Sequence, residues 1–323
     1  MSTAFETSNL RMASVLRVSR KVFARGVRGA IIRSVQQELN AAGCYTGIVD
    51  GFYGGGTERA VSSFQLDARL PDTGGIDSAT WTALMRRPIP SIFERALQLT
   101  AAFEGHGFGM VQGNWDGAWL TWGILGFTLR YGEIQKLLLT IDAAYPKSLR
   151  LAFGSSTPKL LKVLRSEPAA QEAWANSISD GARVREPWRT GFQRLGFQPG
   201  VQLLQIQRAR ATYFESALKT AGRFELVSEQ GIALCFDIHV QNGGINKVAA
   251  AAIRRQRFAT ETARRIAIAN AVADAARPAF RADVRARKLA IATGIGSVHG
   301  ESFVTDRWGI GEYLAADSAD DAD

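Results

Sequence analysis

Hydrophobic positions recur at helical intervals along most of the chain. Ile32, Val35 and Leu39 share one face, and Gly43 ends that run. Asp50-Gly51 is a turn signal, and the glycines at 54–56 add backbone freedom. Thr57 is placed to cap a second helix that carries Ala60, Val61 and Phe64 on one face. A second glycine turn leads to Asp77, placed to cap a third helix with Trp81 and Leu84 facing inward. Two prolines in Arg86-Arg-Pro-Ile-Pro90 make a short stiff linker. The pattern predicts a three-helix unit over residues 31–85, preceded by an arm over 1–30 and followed by a linker over 86–91.

Residues 92–311 predict a larger, mainly helical unit. Ile92, Ala96, Leu97, Leu99, Thr100 and Phe103 form a helical stripe that ends at Glu104, just before Gly105. Helices are also expected over 134–140, 148–153 and 203–217, and from Thr157, with Pro158 at the first helical position. A central buried helix is expected within 224–240, carrying Ile232, Leu234, Cys235, Phe236 and Ile238. The Ala- and Arg-rich stretch 246–293 reads as helical, and 293–311 as loop. Arginines 254, 255, 257, 264, 265, 277, 281, 285 and 287 read mostly as a solvated face, with some pairing internally around the acids.

Composition narrows the class. The 323 residues are 46% hydrophobic and 21% charged, which suits one sizeable core plus a small module and excludes global disorder. No run approaches the roughly 18 apolar residues of a membrane span. The net charge of +9 is uneven: residues 1–30 and 86–311 are basic, whereas 31–85 and 312–323 are acidic. A basic field favours an anionic partner. Arg11, Arg17, Arg20, Lys21, Arg25 and Arg28 lie among apolar residues. They make either an amphipathic arm that touches a membrane or lipopolysaccharide, or an ordinary solvated helix. The 312–323 tail reads as a flexible solubilising end. The two cysteines and three histidines have no metal-ligand spacing and no disulfide framework, so neither metal nor cofactor is expected. No nucleic-acid motif is present. No secretory signal is evident, so synthesis in the cytoplasm is expected.

The chemistry concentrates between residues 102 and 128. Glu104 and Asp116 stand among glycines and aromatics, with Trp115, Trp119 and Trp122 beside them. Flanking Phe103 and Phe108 would desolvate a carboxyl at 104, which suits a general acid. Asp116-Gly117 holds the second acid on non-helical backbone, and the Thr121 hydroxyl is placed to orient a water for it. Singly, each acid also reads as a surface charge or a turn former. Trp119 and Trp122 also read as core.

The module resembles the peptidoglycan-binding three-helix domain. The residues that carry the likeness are Val35-Gln-Gln-Glu-Leu39, Gly43, Gly47, Val49-Asp-Gly-Phe-Tyr-Gly54, Thr57, Ala60-Val61, Phe64-Gln65, Gly75, Asp77, Thr80 and Leu84. The resemblance implies a glycan-peptide contact at Asp50, Phe52, Tyr53 and Thr57; the plainer reading is that Asp50 and Thr57 turn and cap. Ala102-Phe-Glu-Gly105, Asp116-Gly117, Thr121, Gly123-Ile124, Gly126-Phe-Thr128 and Gly132-Glu133 resemble the chitosanases of glycoside hydrolase family 46, in the lysozyme superfamily. That likeness implies a two-lobed, mainly helical fold with a small sheet, and an inverting cleavage of β-1,4 bonds in amino-sugar polymers. It implies Glu104 as acid, Asp116 as base, Thr121 beside the water, and Glu133 where the family has an aspartate that binds a sugar amine. Phe236-Asp-Ile-His-Val-Gln-Asn-Gly-Gly244 resembles a second signature of that family, which makes Asp237, His239, Gln241 and Asn242 substrate contacts along with Trp115 and Trp119; for Asp237 and His239 the plainer reading is an internal hydrogen bond.

Chitosan is polycationic, whereas peptidoglycan carries carboxylates. The basic charge and the module therefore favour a monomeric hydrolase of peptidoglycan glycan strands, lysozyme- or muramidase-like. Chitosan hydrolysis is the alternative, followed by a wall-binding protein without catalysis. Without a secretory signal, holin release or a secretion machine would deliver the protein to the wall.

Overall fold

In the computed structural model, residues 23–27, 30–105 and 107–312 are described. Most of the basic arm and all but the first residue of the acidic tail lie outside them, as does the proposed membrane contact of the arm. The buried hydrophobic residues form two separate clusters.

The smaller cluster belongs to α1 (Ala30–Ala41), α2 (Gly55–Asp67) and α3 (Ser78–Met85). Asp77 caps α3, its carboxylate accepting the Thr80 N–H at 2.7 Å. Thr57 is not a cap. Helix α2 begins at Gly55, which puts Thr57 inside its first turn and almost fully buried. The core also reaches ahead of residue 31: Phe23 exchanges both backbone hydrogen bonds with Ile76 and packs on Trp81. At the centre is Gln36, which is wholly buried. Its Nε2 reaches Asp50 Oδ1 at 3.0 Å, the Phe52 carbonyl at 3.0 Å and Thr57 Oγ1 at 3.1 Å, and its Oε1 accepts the Gly51 N–H at 2.7 Å. One amide thus fixes the whole 50–57 loop. Gln36→Ala orphans the Gly51 N–H, so it is expected to destabilise the module by about 1–3 kcal/mol. Calorimetric unfolding of the module transition checks this.

The larger cluster is mainly helical. Helix α4 (Ile92–Glu104) opens with a capping box between Ser91 and Glu94. A three-stranded antiparallel sheet follows: β1 (Val111–Gln112), β2 (Thr121–Trp122) and β3 (Phe127–Thr128). Six elements then pack on one another and on this sheet. They are α5 (Glu133–Ala144), α6 (Pro146–Phe153), α7 (Thr157–Leu164), α8 (Pro168–Ile178), α9 (Trp188–Gly196) and α10 (Pro199–Ala209). A π-helical turn, Arg210–Phe214, leads to α11 (Glu215–Arg223) and so to a second group around α12 (Glu229–Asn242). That group contains α13 (Lys247–Arg254), α14 (Glu261–Asp274) and α15 (Arg281–Thr293), and α4 packs on α12. Residues 229–238 of α12 are all buried, which makes it the central helix expected from the sequence.

Residues 293–311 are not simply loop. β6 (Ile295–Val298) and β7 (Glu301–Val304) form a hairpin whose turn places His299 and Gly300 at positive φ. Around Arg95 the chain is fastened at three points: its guanidinium pairs with Glu229 at 2.8 Å and donates to the carbonyls of Pro90, at 3.0 Å, and Gly309. Among the described residues, no helix is long and apolar enough to cross a membrane.

Candidate active site

Glu104 ends α4, and Gly105 follows it in the left-handed region. The carboxylate is half-buried and meets the Arg287 guanidinium at 2.5 Å. The sequence suggested a carboxyl desolvated by two phenylalanines. Instead Phe103 lies under the guanidinium, 5.2 Å from ring centroid to Cζ, and the acid takes an ion pair.

Arg287 is itself 2% exposed and is held by Asp237, at 2.7 Å from Nη2 and 2.9 Å from Nε. Asp237 also takes Lys288 Nζ at 2.5 Å and the Thr100 hydroxyl at 3.1 Å. Burial pushes the Asp237 carboxyl up, but Arg287 and Lys288 outweigh it and hold the group below the usual carboxylate range. Burial brings Lys288 down to about 8, against the pull of Asp237. Burial opposes the charge of Arg287 too; Asp237 and Glu104 reverse that and raise its pKa. The network continues outward through Gln241, which accepts from Lys288 at 2.6 Å and donates to Asp283 at 2.8 Å.

This network corrects two expectations. Asp237 has no exposed surface, so it cannot touch a sugar. Gln241 has both ends of its amide engaged within the protein. His239 is half-buried and shares a 2.8 Å hydrogen bond with Thr220; burial lowers its pKa. Asn242 lines a small separate cavity of about 110 Å³ with Gly244 and Asn246, and its buried Oδ1 has no partner among the described residues.

Asp116 and Thr121 come from the other helix group. The turn between β1 and β2 is pinned to α8 and to the hairpin of β4 (Ser179–Asp180) and β5 (Arg183–Val184). The Gly113 N–H donates to the Ala182 carbonyl at 2.9 Å, and Asn114 bonds Ser179 Oγ and Asn176 Oδ1. A Cβ at Gly113 would lie 2.6 Å from the Gly181 carbonyl oxygen, so only glycine fits there. Asp116 is exposed, and its Oδ1 accepts the Ala118 N–H at 3.0 Å. Thr121 lies on β2, half-buried, with Gln112 and Thr128 as register partners. Trp115 is 58% exposed, which leaves its ring accessible. Trp119 is partly buried on the core at φ +67°, and Trp122 is fully buried with its Nε1–H on the Phe192 carbonyl.

Glu133 opens α5 and is gripped by Arg208 of α10 at 2.7 and 2.9 Å. Burial would raise its pKa; the two bonds and charge of Arg208, helped by Lys136, turn the shift downward. Tyr213, on the π-helical turn between the helix groups, lies within the fields of both Glu133 and Glu104. Burial and those two acids push its hydroxyl up to about 12. In the module, Tyr53 is fully buried with its hydroxyl on the Gly74 carbonyl, and Thr57 is sealed beneath Gln36, so neither presents a ligand surface. Phe52 is half-buried, and Asp50 is exposed with Oδ1 turned onto the Phe52 N–H at 2.8 Å.

Sequence reasoning missed Lys288, Arg208 and the hub role of Gln36, and left Arg287 within a run read mostly as solvated. A signal existed for the α15 pair. Val284, Arg287, Lys288 and Ile291 follow an i, i+3, i+4, i+7 pattern, so both cations sit on the apolar stripe.

Residues 28–84 match the family model of a peptidoglycan binding domain, PG_binding_1. No curated protein matches the chain. Among solved structures, a native chitosanase from Bacillus subtilis MY002 is 20% identical with a TM-score of 0.50, covering 65% of this chain and 96% of the chitosanase. A family 46 chitosanase from Gynuella sunshinyii, solved with chitotetraose, is 14% identical with a TM-score of 0.49, covering 67% and 98%. At such identity the Bacillus likeness is one of fold: an N-terminal binding domain precedes a helical unit with the chitosanase fold.

Proposed function

We propose that the chain is a glycoside hydrolase that cleaves β-1,4 bonds in the glycan strands of peptidoglycan with inversion. Glu104, from one helix group, gives its proton to the leaving oxygen. Asp116, from the other, takes a proton from the attacking water, which the Thr121 hydroxyl orients. After the step Asp116 releases its proton to solvent, and the proton lost by Glu104 returns from solvent. No cofactor takes part in these steps. Trp115 offers a sugar platform, and the N-terminal domain holds the enzyme on the wall.

The observation that carries the choice of polymer is the grip of Arg208 on Glu133. A chitosan cleft needs carboxylates with charge to spare for sugar amines. Here Glu133, to which the family resemblance would give amine binding, is already matched by an internal guanidinium. The net charge of +9 points the same way. Such an activity suits an endolysin or an injected wall-degrading effector.

The fold shared with the Bacillus chitosanase favours chitosan as a second reading. Digestion of purified sacculi and of chitosan, side by side, decides between them. We expect new reducing ends from sacculi at least 10-fold faster than from chitosan, which corresponds to about 1.4 kcal/mol of transition-state discrimination. The reverse ratio establishes chitosan. Muramic acid at the new reducing ends identifies a muramidase, and glucosamine a glucosaminidase.

A further inference from the structure

A groove of about 960 Å³ opens over α6 and α7, outside the residues assigned above. Arg150, Lys162 and Arg165 supply charge to its walls, and Pro158 and Leu161 give it an apolar surface. Arg165 meets Asp142 at 3.6 Å. Arg150 and Lys162 have no ion-pair partner among the described residues. Two uncompensated cations beside an apolar surface select an anion that also carries small apolar groups.

Helix α5 links the candidate site to the groove wall. Glu133 opens α5, and Gln135, in the same turn, holds the Leu164 carbonyl at the end of α7 at 2.5 Å. Further along α5, Asp142 meets Arg165 on the groove wall. Nine residues at 1.5 Å each put Asp142 roughly 13 Å beyond Glu133 along the helix. An extended peptide of about four residues spans that distance.

We propose that this groove binds the acidic stem peptide carried by the glycan strand: Arg150 and Lys162 meet its carboxylates, while Leu161 and Pro158 take its alanine methyls. The proposal rests on the peptidoglycan reading, but its test does not need that reading to hold. The probe is the free stem tetrapeptide, L-Ala-D-Glu-diaminopimelate-D-Ala, titrated into the full chain by calorimetry. Its affinity is expected to fall about 10-fold or more in Arg150→Gln/Lys162→Gln, given the strength of hydrogen bonds to charged groups. It should be unchanged in Arg254→Gln/Arg255→Gln, which removes the same charge from another exposed surface.

In hydrolysis, the groove variant should raise KM on peptide-bearing strands and leave kcat, and the rate on peptide-stripped strands, unaltered. If sacculi are not cleaved but the groove variant still loses the tetrapeptide, the groove stands and the peptidoglycan reading falls. Equal tetrapeptide affinity in wild type and groove variant overturns the groove, as does equal loss in both double variants. Anionic phosphatidylglycerol vesicles provide the other arm. Vesicle binding lost in the groove variant, without tetrapeptide binding in the wild type, makes this a membrane face and overturns the proposal.

Discussion

Asp237→Ala is expected to destabilise the large unit by about 3–5 kcal/mol, the range for breaking a buried ion pair by removing one partner. Asp237 is the shared counterion of Arg287 and Lys288, both buried beside it. Without it, Arg287 keeps only Glu104 as an acidic partner, and Lys288 keeps only neutral acceptors, Gln241 and the backbone carbonyl of residue 237. For a unit of this size, the thermal midpoint falls by roughly 10 °C. The pH dependence has a definite sign. The folded pKa of Asp237 lies below its ordinary value of 3.8. Its contribution is therefore fully present above that value and is lost as pH falls through the lower, folded pKa. Melting curves from pH 6 to pH 3 should steepen downward below about pH 4 in the wild type, and less in Asp237→Asn. A change under 1 kcal/mol in Asp237→Ala would show that the network relaxes without its centre.

The second large effect concerns rate, not stability. Glu104→Gln keeps the shape of the side chain and an oxygen for Arg287, but it has no proton to give. Glycan cleavage should fall by about 10²- to 10⁴-fold, the usual contribution of a general acid. Cosedimentation with sacculi should not change, and the melting temperature should fall less than in Asp237→Ala, because Arg287 loses one charge partner and keeps Asp237. Asp116→Asn should lose activity to a similar degree, since inversion needs both carboxyls. Hydrolysis rates on whichever polymer is cleaved check the pair. Near-wild-type turnover in Glu104→Gln removes that residue from the acid role.

Helix periodicity located most elements, because apolar stripes and caps are local signals. Asp77 as a cap, Glu104 at the end of α4 and the buried central helix could all be read from neighbouring residues. Thr57 misled for a local reason as well: α2 begins earlier, at Gly55, and a hydroxyl in the first turn looks like a cap until Gln36 is placed against it. The β6–β7 hairpin was hidden because its strands are four residues each and rich in glycine and serine. Arg287, Lys288 and Arg208 escaped for a different reason. The partners of Arg287 lie 50 residues or more away, those of Lys288 47 or more, and Arg208 sits 75 residues from Glu133. No pattern along the chain pairs them. Their charge entered the reading only as part of a basic total, although two of them set the surroundings of the candidate acids directly.

The fastening around Arg95 bears on mechanical load. Any tension on the N-terminal domain enters the large unit through the linker at Pro90, whose carbonyl Arg95 holds at 3.0 Å. Arg95 passes that force to Glu229, at the start of the central helix, and to Gly309, near the end of the described chain. The pull is spread over three distant segments at one end of α4. Glu104 stands at the opposite end, nine residues or roughly 13 Å along the axis. Tension on the N-terminal domain is therefore borne at this anchor, away from Glu104.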